Sequence, residues 1–176
     1  MSGIYDEINS KRFSEKDDYE LSPKEIHARA IAKRGLLEED QVRTALDAGE
    51  NPIDLSLKKW IKIQQVVANH PTAGTVMGLN GYIGYRTCAL CIVSIKAFKD
   101  QFGDLKDDAS KCTVCPLAEL ESCVTKGSAY SQIDNAITSI TYGSGSAERD
   151  AELVEIVQAN IVKLLANLER LKQSAS

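Results

Sequence analysis

Cys88-Ala-Leu-Cys91, Cys112-Thr-Val-Cys115-Pro116 and Cys123 contain all five cysteines of the chain. Two C-x-x-C knuckles separated by a 20-residue spacer have the spacing of a tetrathiolate metal site. A C-x-x-C turn aims two sulfurs at one ion. Where such a turn opens a helix, the free backbone N–H groups and the helix dipole favour the thiolate form. Both knuckles lead into segments with helical character, and Pro116 stands where a proline at N1 would. Cys88, Cys91, Cys112 and Cys115 are therefore the first-choice ligands. Cys123, eight residues past Cys115, is either a replacement for Cys112 or Cys115 or a buried thiol, and His70 is a weaker substitute. Structural Zn2+ is the expected occupant. The alternatives are an iron–sulfur cluster, which also takes cysteine thiolates, thiol–disulfide chemistry, and five ordinary reduced cysteines.

The 176-residue length suits one domain with an apolar core, and 43% hydrophobic with 26% charged residues is an ordinary globular composition. A net charge of -4 disfavours a chain built to coat nucleic acid. No run reaches the ~18 apolar residues of a membrane span. The start Met1-Ser-Gly-Ile-Tyr5 has neither the basic nor the apolar part of a signal peptide. The expectation is a cytoplasmic protein, where clustered cysteines serve as metal ligands or redox thiols more often than as disulfides.

Working outward, residues 1–21 read as a flexible arm and 22–176 as a helical domain carrying the metal-binding segment 88–123. Ser22-Pro23-Lys24-Glu25 is a capping box that starts a helix ending at Gly35. A second helix runs from about Glu38 to Ala48, with Val42, Ala45 and Leu46 inward and Leu36 and Leu37 filling the angle before it. A third, capped by Asp54, reaches Asn69. Leu57, Trp60, Ile61, Ile63 and Val67 form its apolar stripe. Between Pro71 and Thr87 the glycines Gly74, Gly78, Gly81 and Gly84 break the pattern, giving a Gly-rich loop or short hairpin. Ala89 to Phe98 is apolar nearly all round, a buried helix. A short helix from Leu117 to about Val124 would carry Leu120 and Cys123 on one face, and Tyr130 to Ile140 is a weaker helix. Ser146 caps the longest, 147–172. Its seam of Leu153, Val157, Ile161, Leu164, Leu168 and Leu171 suits packing within the chain, with a homodimer as the second use. The fold class that follows is mainly α: a single-domain helical bundle with a cysteine-bound metal knuckle.

No nucleophile elbow, metalloprotease helix or deaminase signature is present, and His27 and His70 are the only histidines. Lys58, Lys59 and Lys62, together with Arg29, Lys33 and Arg34, form the one basic set able to serve a nucleic-acid reading.

The run Asn51-Pro-Ile-Asp-Leu-Ser-Leu-Lys-Lys-Trp60, followed by Cys88-Ala-Leu-Cys91, Cys112-Thr-Val-Cys115-Pro116-Leu117, Cys123 and Tyr130, resembles small cysteine-motif proteins of bacteriophage and prokaryotic genomes. In those proteins an "LS-x-x-KW" helix precedes C-x-L-C, C-x-x-C-P, a further cysteine and a tyrosine. Ser128-Ala129 here stands where Thr-Pro would be expected. The likeness covers residues 51–130 and implies a metal site and a viral accessory role in the host cytoplasm, with a host protein as partner. The expected function is a small non-catalytic, zinc-stabilised interaction protein. A nucleic-acid-associated zinc protein and an iron–sulfur or redox protein are the alternatives.

Overall fold

A computed structural model describes residues 35–104 and 110–175. The arm, the helix expected from Ser22, and the cations Arg29, Lys33 and Arg34 lie outside the described residues. Within them are six α-helices and three short 3-10 turns, and no strand. The helices are α1 (Glu39–Asp47), α2 (Pro52–Asn69), α3 (Ala73–Gly78), α4 (Ala89–Phe102), α5 (Ala129–Tyr142) and α6 (Ala147–Ser174).

The core is a helical hairpin crossed by α2. Helices α5 and α6 are joined through Gly143 and Gly145, both at positive φ (96° and 95°). Ser146 then caps α6 by accepting from the Arg149 N–H at 3.1 Å. Ile133, Ala136 and Ile137 of α5 meet Val157, Ile161, Leu164 and Leu168 of α6, with Trp60, Ile63 and Val67 of α2 in the same cluster. The α6 seam is thus buried within the chain, which leaves Val162 as that helix's exposed large apolar residue. Helix α1 packs apart, in a small cluster of Val42, Leu55, Ala89 and Ile92.

Several expectations are corrected. Helix α2 is capped by Asn51, not Asp54. The Asn51 side chain accepts from the N–H of Ile53 (2.8 Å) and Asp54 (3.3 Å), which the following Pro52 at N1 allows. Ile61, placed on the apolar stripe, is exposed, and so is Leu37. The segment from Pro71 to Thr87 is not a hairpin. Thr72 caps α3 by accepting from Thr75 N–H, and Val76, Leu79, Tyr82 and Ile83 are buried at helical spacing. Helix α4 is buried only in its first half. Phe98 and Phe102 stack at 5.0 Å near its end, where Phe102 is 65% exposed. After Pro116 a single 3-10 turn reaches Glu119 and stops, so Leu120 is exposed and Cys123 arrives on a turn.

Ile137→Ala removes a fully buried side chain, and is expected to cost about 2–5 kcal/mol in urea unfolding. Asn51→Ala is expected to cost about 1 kcal/mol in the same measurement.

Candidate metal centre

Four separate pieces of chain bring the thiols together. Cys88 is the N-cap of α4 and Cys91 lies in its first turn. Cys112 sits in the 3-10 turn Ser110–Val114, and Cys115 is the N-cap of the next, Pro116–Glu119. Cys123 follows on its own turn. That turn is tied down at long range. The Glu121 carboxylate accepts from Ala129 N–H at 3.0 Å, at the start of α5, and from Asn167 Nδ2 at 3.3 Å, on α6. Ser128 Oγ donates to the Cys123 carbonyl at 3.1 Å.

Neither N-cap sulfur makes a side-chain capping hydrogen bond, yet backbone N–H groups that follow each one favour its thiolate form. Cys88 is approached by those of Leu90 and Cys91, and Cys115 by those of Leu117 and Ala118. These are the free donors of a helix start, whose partial positive charge favours a nearby thiolate. The Cys91 thiol also donates toward Cys88, which pulls Cys88 below the usual thiol range and pushes Cys91 above it. The first deprotonation of the pair is thereby eased and the second opposed. Burial raises Cys115, and pushes Cys123 up to about 12.

Cys88, Cys91, Cys115 and Cys123 act on one another in all six pairings, each thiolate opposing ionisation of another except where Cys91 donates to Cys88. Cys112 acts on Cys123 as well. A cavity of about 20 Å³ is lined by Cys91, Cys112, Cys115 and Cys123, with Ser94, Lys111, Leu117 and Ala118. The Ser94 hydroxyl is buried there without a hydrogen bond of ordinary geometry. It polarises Cys115, which it draws down. A cavity walled by thiols offers the donor set of a soft cation. As the thiols stand, no three His, Cys, Asp or Glu side chains among the described residues form a ready-made metal-holding group.

Residues not singled out by spacing complete the surroundings. Lys59 Nζ donates to Thr87 Oγ1 at 3.0 Å and lies 5.5 Å over the Trp60 ring. Burial lowers its pKa, while Cys88, Cys91 and Cys123 favour its charge. Tyr130 stands edge-on to Trp60 at 6.4 Å and donates its hydroxyl proton to the Ile83 carbonyl at 3.0 Å. Burial raises its pKa, as do Asp134 and the thiols Cys88, Cys91 and Cys123. Lys59, Trp60, the cysteines and Tyr130 are residues that carry the motif resemblance, and the fold gathers them at one place. Of the basic set, Lys58 pairs with Glu50 at 3.1 Å and Lys59 turns inward, so these neighbouring lysines do not form a free cationic strip. His70 is exposed as the C-cap of α2.

Comparison with protein-family models, with curated proteins and with solved structures finds no match.

The Cys123 thiol stays neutral in the fold well above its ordinary pKa of 9.0. A group raised on folding contributes stability that is complete below its unfolded pKa and lost as pH rises toward the folded one. The metal-free protein is therefore expected to lose stability between about pH 9 and about 12 in chemical denaturation. Cys123→Ser, which has no proton to lose there, flattens that part of the curve.

Proposed function

We propose that this chain is a small, non-catalytic interaction protein whose segment 88–123 is held in place by a divalent metal ion, zinc in the first instance, bound to cysteine thiolates. One observation carries the reading. Four thiols from three separate turns meet within electrostatic reach of one another, and two of them stand at helix starts whose backbone N–H groups favour the thiolate. Crowding of this kind opposes ionisation in the absence of a cation and favours capture of one. The proposed ligands are Cys88, Cys91, Cys115 and Cys123, with Cys123 in the place first given to Cys112. Cys112 lies beside Cys123 as a fifth thiol.

An ion at this point cross-links α4 to the turns around Cys115 and Cys123. Those turns have little core of their own, with Leu117 as their buried apolar residue and Leu120 and Val124 exposed. The interaction role is supported by large apolar side chains left on the surface, Phe102 at 65% and Tyr142 at 62% exposure. A host protein is the partner the motif resemblance implies.

Elemental analysis of the purified protein tests the reading. One zinc per chain is expected, lost on replacing Cys88, Cys91, Cys115 or Cys123 by serine and kept in Cys112→Ser. Chelation is expected to lower the thermal midpoint of the wild type and to leave Cys91→Ser unmoved. A metal-free wild type that is indifferent to chelator overturns it.

A further inference from the structure

We propose that Lys59 and Lys111 are positioning residues of the thiolate centre, whose positive charge neutralises the surplus negative charge of a divalent ion held by four thiolates. This rests on the metal reading above. Four thiolates around a divalent ion leave a net charge of minus two, inside a region of apolar side chains. Such a charge is costly to bury unless counter-charge is buried with it. Two lysines supply it.

The geometry singles out these two. Lys59 reaches the cluster from α2, and its ammonium is held by the Oγ1 of Thr87, the residue preceding Cys88. Thr87 is itself locked, 5% exposed, with its hydroxyl donating to the Tyr82 carbonyl at 2.6 Å, so its lone pairs are left for the ammonium. Lys111 is only 7% exposed, an unusual state for a lysine, and it lines the cavity with Cys91, Cys112, Cys115 and Cys123. Its Nζ lies 4.7 Å over the Tyr85 ring. The neighbouring Lys58, by contrast, is exposed and paired with Glu50. Surface lysines are free to leave with little penalty. Lys59, within electrostatic reach of Cys88, Cys91 and Cys123, and Lys111, in the wall of the thiol-lined cavity, are placed for the charge that forms there.

Zinc affinity by chelator competition and the sulfur-to-cobalt charge-transfer band of the Co(II)-loaded chain test the proposal. Lys59→Met and Lys111→Met are each expected to weaken zinc binding about 10-fold or more, the effect usual for residues that support metal ligands from behind. Both are expected to move the charge-transfer band to lower energy, because a sulfur without its cation gives up electrons more readily. A loss of packing alone does not move the band in that direction. Lys111→Arg, which keeps a cation over Tyr85, is expected to restore affinity and band. Lys58→Met is expected to change neither. Should Lys59→Met fail to fold, Thr87→Val, which releases the ammonium from its anchor, carries the same expectation. Lysine variants with wild-type affinity and an unmoved band overturn this inference alone. A wild-type chain that takes up neither zinc nor cobalt overturns the metal reading beneath it.

Discussion

Mutual repulsion among crowded thiolates is the constraint on which the rest of the structure turns. Cys88, Cys115 and Cys123 each make ionisation of a neighbouring thiol harder, and Cys91 is opposed by all three. As thiols they are small, polarisable apolar groups at the edge of the core. As thiolates they need positive charge close by. The backbone N–H groups at two turn starts, the shielded Lys59, and the cavity wall with Ser94 and Lys111 are all features that suit the ionised state.

The helical hairpin of α5 and α6, crossed by α2, is the rigid part of this machine, and it reaches the thiols through a few polar ties. Glu121 connects the Cys123 turn to the start of α5 and to Asn167 of α6. Lys59 and Trp60 deliver α2 to the same place, and Tyr130 brings in α5. The 88–123 segment is thereby held from behind by helices whose own stability comes from apolar burial, and a metal ion would act only on the loop-rich side.

Where local chemistry decides structure, the sequence was legible. Ser146 and the following acidic turn mark the start of α6, and the leucine spacing marks its buried face. Cys88 was correctly read as opening a helix. The errors share a cause. Helix continuation past Glu119 depends on whether Leu120 finds a partner, and it finds none within the fold. Instead Glu121 is drawn to a donor on α6, 46 residues away, a tie with no local signature. The glycines between Pro71 and Thr87 suggested a loop or a short hairpin; the Thr72 cap starts a short helix there instead, and only the stretch after Gly78 is loop. Lys59 looked like one of three surface cations, because helical spacing does not say which of two adjacent lysines turns inward. The motif resemblance held a hint, since Lys59 stands next to Trp60 in the very stretch that carries it.

The most direct measurement is X-ray absorption at the zinc edge of protein purified without added metal. The account predicts a single shell of four sulfur atoms at about 2.3 Å, the Zn–S distance of a closed structural site. A shell containing nitrogen or oxygen, or protein that carries no zinc, would contradict it.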